Sequence, residues 1–523
     1  MPGVVRIASH LAVWTAILVP MFAELSRGWR PFGDDAAIAS RSYQALSLHP
    51  PLTGLVSAAS VGLGHALFDP GPLLFYLLAI PVRLDPAHGL LWGAALFCGA
   101  VLSASVEALW STGRWLAGAV VAFAVLDLVW RTPAVFENLA WNAYFPLPFF
   151  IASVVLAWVV ATGKTGWWPL LVFTASVAAQ SHLIFVVPGV ALVVVALVSG
   201  LVTAGRPRRL RWLGIGVGVG VLCWLAPLIQ QVTSRRGNLT ALIGSGKGET
   251  RLGVGFGLRV VGLAGGWHPI WLTHIPSGFH KLVSFEYRYS PWYGGLVLGL
   301  LGVITVVALA TGRRPLGALG AVSVAVALGV FASFAVFPVK NFISLAYLVD
   351  CLWVVGILIW AVVAWAAFSL AQAALARARR PAGAAGPAIE RAAELVPWAG
   401  ALALAALAVV GVLGIGPAAT RPGEIDWNAR DVALVARAAT AIERAIPRGP
   451  VAIEVGPVFL SDFFLAAWST EAVGYRLESD GWRPGVSGPA ESYTELPIPA
   501  GARWPSFQIT IKGTHVVSVR RVR

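Results

Sequence analysis

The sequence predicts a polytopic α-helical membrane protein that ends in a small α/β domain. Three observations carry that expectation. Of 523 residues, 58% are hydrophobic and only 12% charged, with a mean hydropathy of +0.77; soluble domains carry about 25% charged residues, having far less apolar surface to hide. Apolar runs of about 20 residues, the length that crosses about 30 Å of hydrocarbon as a helix, recur as far as residue 415. Beyond residue 417 the composition turns polar and short alternating runs replace the long apolar ones.

The net charge of +14 would suggest a nucleic-acid partner in a soluble protein. Here the basic clusters "GRPRRLRW", "TGRRP" and "LARARRP" sit in short connections between apolar runs, as cytoplasmic loops do under the positive-inside bias, so no nucleic-acid partner is expected. Cys98, Cys223 and Cys351 fall inside predicted spans at no metal spacing, and read as small packing residues. The first apolar run ends in "MFAELS", a poor cleavage site, and is expected to stay as an anchor.

Taken in order, the first span covers about 5–25, with Arg6 holding its start in the cytoplasm. "DDAAIASRSYQALS" spaces Ala37, Ala45, Leu46 and Leu48 among polar residues, which predicts a short helix along the membrane surface. "DPGPLLFYLLAIPVRLDP" is apolar but too short for a span and bracketed by prolines, so it is expected to be re-entrant or interfacial. Spans follow at about 87–110, 116–130, 147–161, 169–180, 184–201 and 213–231. A long outer segment, 232–293, precedes spans at about 295–310, 316–337, 343–369 and 396–415. Treating the Pro-bounded piece as re-entrant places nearly every Arg-rich short loop inside, which gives about eleven crossings with the N-terminus in and the C-terminus out.

Two domains result: a membrane domain, 1–416, and an extracytoplasmic α/β domain, 417–523. In the second, "DWNARDVALVARAATAIERAIP" has helical spacing behind a capping-type Asp. "GPVAIEVGP" and "SFQITIKGTHVVSVRRV" read as strands.

The chemistry-bearing candidates gather after the first span. Asp34 and Asp35 could simply cap the surface helix. They also lie at the edge of hydrocarbon, a little before His49 and the rigid pair Pro50–Pro51, and a carboxylate partly stripped of water there is a natural general base. A first span, an outer loop with an acidic pair and then "HPPL" resembles the GT-C superfamily of integral-membrane glycosyltransferases, which includes protein O-mannosyltransferases and aminoarabinose and arabinofuranosyl transferases. "HALFDPGPLLFYLLAIPVRL", "WNAYFPLPFF" and "QSHLIFVVP" look like matching pieces of bacterial, especially actinobacterial, GT-C-like proteins. The likeness covers residues 5–369. Many members carry Asp-Glu or Glu-Asp in place of Asp34-Asp35, which leaves the choice of base open.

The resemblance implies an inverting transfer from a polyprenyl-phosphate sugar to a glycan, lipid or protein acceptor at the outer face of a bacterial inner membrane, with membrane lipids around the protein. Asp34 would be the base, and Asp35 would orient it or join it on a divalent cation such as Mg or Mn, although two carboxylates alone make an incomplete site. It places Lys340 of "FPVKNF" on the donor phosphate, with Asn341 beside it; the plainer role for Lys340 is an interfacial, snorkelling lysine. His49, His182, Trp141, Asn142 and His268 are the substrate-contact candidates, against the ordinary alternative of structural histidines and interfacial aromatics.

"ALIGSGKGETRLGVGFG" lacks Walker spacing and is rejected as a nucleotide loop in favour of a mobile, substrate-covering one. Glu107 is expected to pair with Arg114. The Ala/Gly/Arg-rich, Lys-poor composition points to a high-GC bacterium building its cell envelope. Two rival functions stand beside the enzyme: a lipid-linked glycan transporter or flippase with Asp350 or Asp127 as its coupling acid, and a non-enzymatic scaffold whose outer domain recruits an envelope-enzyme partner.

Overall fold

The computed structural model describes residues 2–522, except 58–59, 61–65, most of 114–137, 204–205, 268–289, 340–350, 379–427, 456–462, 488–497, 499–501 and 513–514. Among the described residues seven helices are long and apolar enough to cross a membrane. The predicted spans at 116–130 and 396–415 lie mostly or wholly outside the described residues, as do Asp127 and Asp350.

The first span is α1 (Pro2–Ser26), followed by α2 (Asp34–Gln44), α3 (Leu73–Leu84) and α4 (Gly89–Trp110). α1 and α4 run antiparallel, tied at one end by a two-pronged Arg6–Glu107 pair, both contacts 2.7 Å, with His10 Nε2 2.7 Å from the same carboxylate. Glu107 therefore pairs across to α1, while Arg114, its expected partner, lies outside the described residues. A guanidinium fork on a neighbouring helix meets both carboxylate oxygens at once. At the other end Arg30 meets His88. Ser26 and Gly89 thus share one face of the bundle, so an even number of crossings separates them, as the re-entrant or interfacial reading of α3 requires.

The helices α5 (Pro146–Ala161), α6 (Trp168–Ser181), α7 (Val186–Thr203) and α8 (Arg206–Thr233) continue the up-and-down course. Trp167 Nε1 donates to Ser111 Oγ (3.1 Å) on the face opposite α2, and Phe68 N–H reaches Asn238 Oδ1 (3.1 Å) just beyond α8 on the α2 face. α5 is apolar and buried on all sides, the signature of a helix at the centre of a bundle. α8 instead exposes Val217, Val221, Leu222, Leu225 and Leu228, a stripe suited to lipid.

Pro227 in α8 has no N–H to give the carbonyl of Cys223, four residues back. The side chain of Gln180 on α6 supplies it: Nε2 donates to Cys223 O at 2.8 Å, and Gln180 is fully buried. The same helix end receives Gly71, whose absent side chain leaves room for Gln180 Oε1; a Cβ there would sit 2.1 Å from it.

Beyond α9 (Asn238–Gly244) and α10 (Gly253–Ala264) come α11 (Pro291–Ala310), α12 (Arg314–Ala335) and α13 (Cys351–Ala378). α10 corrects the expectation of a continuous outer segment and a mobile loop at 241–257. Its Val260, Val261, Leu263 and Ala264 are buried against α11, α12 and α13. At 12 residues it is too short to signal a span, and its glycines allow close approach: a Cβ on Gly257 would meet Phe331 O at 2.7 Å. Thr250 O accepts from Val339 N–H (2.9 Å) and Leu252 N–H donates to Phe337 O (2.9 Å), pinning this stretch to the end of α12. α12 starts on the face opposite α2, where Trp158 Nε1 donates to Pro315 O (2.9 Å), and ends on the α2 face, where Ser333 Oγ reaches Ile184 O (3.4 Å).

The C-terminal part has α14 (Asn428–Ala445), β1 (Pro450–Val455), α15 (Phe463–Ser479), β2 (Arg483–Ser487), β3 (Ser506–Lys512) and β4 (His515–Arg521). The sheet order is β2-β1-β3-β4, with β1 parallel to β2 and β3, and β4 antiparallel to β3. Leu434, Ala438 and Ile442 of α14 and Val473 and Leu477 of α15 pack on Val451, Ile453 and Ile509 of the sheet. α15 has a second role. Its Ala472 and Tyr475 join the apolar core of the membrane part, and Tyr475 Oη donates to Pro86 O at 2.7 Å.

Candidate active site

Gly33 takes a φ of 60°, a value that favours glycine, and turns the chain into α2. Asp34 and Asp35 occupy the first turn, where the N-terminal end of the helix dipole favours negative charge. The buried face of α2, Ala36 to Ser40 and Ser42, sits between α3 and α15, so the predicted surface helix is roofed by the C-terminal part.

The two carboxyl groups have different surroundings. Asp34 Oδ2 accepts the indole N–H of Trp141 at 2.8 Å. Asp35 keeps some exposed surface, yet its Oδ1 is buried and finds no hydrogen-bond partner among the described residues. Burial, and then the nearby Asp34 charge, push the Asp35 carboxyl up to about 8. Asp35 therefore holds a proton at neutral pH.

Trp141 lies in the turn that leads into α5. Its backbone N–H meets Asn138 O, its carbonyl accepts from Phe145 N–H, and its ring packs edge-on to Tyr144 with centroids 4.9 Å apart. The next residue, Asn142, donates to Asp69 Oδ2 at 3.0 Å. The Trp141–Asn142 pair thus holds two acids, Asp34 with one side chain and Asp69 with the next. Asp69 is 3% exposed. Its backbone pairs with the end of the "HPPLTG" stretch and the residue after it, N–H to Leu55 O at 2.8 Å and O from Gly54 N–H at 3.0 Å. Asn238 bonds both backbone groups of Phe68 alongside it.

Asp69 was missed from sequence. The available signal was an acid set before Pro-Gly inside an apolar stretch, where a carboxylate needs a reason to be buried. Of the predicted residues, Asp34, Asp35, Trp141 and Asn142 come together. His182 ends α6 two residues after Gln180, whose carbonyl receives Gly71 N–H at 3.5 Å, and its Nδ1 accepts Ile184 N–H at 3.3 Å. His49 is exposed, its backbone N–H bonded to Ser47 Oγ, with no side-chain tie to the aspartates described. Lys340, Asn341 and His268 lie outside the described residues; Val339, next to Lys340, is on the α2 face.

No family model and no curated protein matches the chain. Two solved structures do, both crystal structures of ArnT from Cupriavidus metallidurans, one bound to undecaprenyl phosphate and one in the apo state. Each aligns with a TM-score of 0.50 at 16% identity, over 97% of this chain and 92% of the other. The chain has the fold of ArnT. At that identity the likeness is one of overall fold. The match to ArnT takes in the C-terminal part as well as the membrane helices, farther than the sequence likeness reached.

A hard cation takes six or more oxygens. Among the described residues no third Asp, Glu, His or Cys joins Asp34 and Asp35 in a metal-binding group, and Trp141 directs a hydrogen-bond donor at the first of them. The described side chains alone therefore supply fewer than the six ligands of a divalent cation at the pair.

Proposed function

We propose that the protein is a membrane glycosyltransferase that moves a sugar from a polyprenyl-phosphate donor to an envelope glycan, lipid or protein acceptor with inversion at the anomeric carbon. The observation that carries this reading is the unequal acid pair: Asp34, oriented by Trp141, beside Asp35, whose Oδ1 is buried with no hydrogen-bond partner among the described residues. Such a pair leaves Asp34 as the proton acceptor, because two adjacent charges in a poorly solvated site are disfavoured. The fold shared with an ArnT that binds undecaprenyl phosphate supports the donor class.

In the transfer, Asp34 removes the proton of the acceptor hydroxyl as its oxygen bonds the anomeric carbon. The carbon–oxygen bond to phosphate breaks on the opposite side, and polyprenyl phosphate leaves with the electron pair. Neutral Asp35 limits the negative charge at the site. Lys340, with Asn341, takes the leaving phosphate. Trp141, Asn142, His49, His182 and His268 are assigned to the sugar and acceptor. No step is routed through a cation.

Orientation follows from charge. Arg6, Arg211, Arg313 and Arg314 belong to helix ends on the face opposite α2, which the positive-inside bias assigns to the cytoplasm. The α2 face and the C-terminal part are then extracytoplasmic. Purified protein incubated with radiolabelled polyprenyl-phosphate sugars and envelope glycans should transfer label, and Asp34→Asn should lose at least about 100-fold in turnover. Undiminished transfer by Asp34→Asn, or no transfer from any such donor, overturns the reading.

A further inference from the structure

The C-terminal part grips the helix that carries the acidic pair. Glu478, in the last turn of α15, accepts two hydrogen bonds from one face of α2: Ser40 Oγ at 2.6 Å and Gln44 Nε2 at 2.9 Å. Ser40 and Gln44 are four residues apart, hence stacked on one side of the helix. Burial raises the Glu478 carboxyl, and Ser40, Gln44, Arg83 and Arg41 oppose that rise. Arg83 ties the same corner to α3, donating from Nε to Tyr43 O at 2.9 Å with its guanidinium 3.7 Å over the Tyr43 ring. Tyr475, one turn before Glu478, fastens α15 to the α3–α4 connection through Pro86 O. A carboxylate that accepts from two side chains of one helix fixes that helix in rotation and along its axis, which apolar contacts alone do poorly because they are not directional.

We infer that Glu478 is a positioning residue for the transfer reaction, holding α2 so that Asp34 meets Trp141 and Asp35 stays enclosed, and that the C-terminal part is a working component of the catalytic site. The inference rests on the glycosyl-transfer reading for its catalytic consequence and on α2 itself for its structural one. Ser40 lies six residues from Asp34, about 9 Å along the helix axis at 1.5 Å per residue, so a rotation or slip at Glu478 is passed rigidly to the first turn. Misplacing a catalytic group by about 1 Å is enough to cost on the order of 100-fold.

The test uses the full-length protein in detergent with two readouts. Backbone hydrogen exchange across 34–44 reports α2 without reference to activity; steady-state transfer gives kcat and KM separately. Glu478→Ala should speed exchange in α2 relative to α4 and α5 and lower kcat by about 10- to 100-fold, with KM for the donor within about threefold of wild type. Glu478→Gln keeps an oxygen acceptor and should recover most of both. Gln44→Ala, a change a helix readily accepts, should reproduce part of the effect and serves if Glu478→Ala is poorly produced. Unchanged α2 exchange in Glu478→Ala and Gln44→Ala, or Glu478→Gln as impaired as Glu478→Ala, overturns the positioning role. Faster exchange with kcat unaltered also overturns it. Absence of transfer by the wild-type protein, with α2 loosened in Glu478→Ala, would sink the proposed reaction and leave the grip on α2 standing.

Discussion

Asp35→Asn tests the feature on which the site's chemistry depends, a carboxylic acid that stays neutral at physiological pH. The Asp35 carboxyl stands at about 8 in the folded protein, against 3.8 for an ordinary aspartate. Between those values the folded chain keeps a proton that the unfolded chain has released. Stability contributed at this position is therefore full at acid pH and declines as pH rises, by about 1.4 kcal/mol per unit, until the folded group itself ionises near pH 8. From about pH 5 to about pH 7 the loss approaches 3 kcal/mol, an upper bound since Asp35 retains some exposure. Asparagine has the same shape and cannot ionise, so the variant lacks this slope. Apparent melting temperatures in detergent should nearly coincide for wild type and Asp35→Asn at about pH 4, then diverge in favour of the variant up to about pH 8 and run parallel beyond it. Transfer rates give the companion measurement: wild-type activity should fall above about pH 8 as a second charge forms beside Asp34, and Asp35→Asn should lose that alkaline limb. Melting curves that stay parallel from about pH 5 to about pH 8, or an alkaline limb unchanged in the variant, would refute the reasoning.

Two further outcomes separate the site from its scaffold. Trp141→Phe keeps the ring and removes the 2.8 Å donor to Asp34; turnover should drop by about 10- to 100-fold with the gel-filtration profile and melting temperature little changed, as kinetics beside a thermal melt will show. Gln180→Leu strips the Cys223 carbonyl of the donor that Pro227 cannot provide. A buried carbonyl left alone should cost about 1–3 kcal/mol, seen as a lower melting temperature in detergent.

How much of this was legible beforehand differs from residue to residue. The acidic pair, Trp141 and Asn142 were each readable as candidates, but not their partnership, since Trp141 and Asp34 are 107 positions apart. Asp69 passed unnoticed because a single acid before Pro-Gly looks like a turn until its burial is known. Local sequence offers Glu107 only a near neighbour such as Arg114; the antiparallel run of α1 and α4 brings it Arg6 and His10, 101 and 97 positions away. Glycine density hides the helix at Gly253–Ala264 in the sequence, because its stability comes from close packing on its neighbours.

By itself the sequence determined that the chain lives in a membrane, which of its short loops are basic, and that a more polar portion with α/β patterning follows the apolar runs. These are properties of composition and local period, set by the cost of placing polar groups in hydrocarbon whatever the neighbours are. Only the tertiary structure decided which acid is oriented and which is enclosed, that Asn142 reaches a third acid at Asp69, and that the C-terminal part closes over α2 through Glu478. Hydrogen bonds and burial at those places join residues that local patterning treats as independent, and their energies exist only once the chain has brought them within about 3 Å of one another.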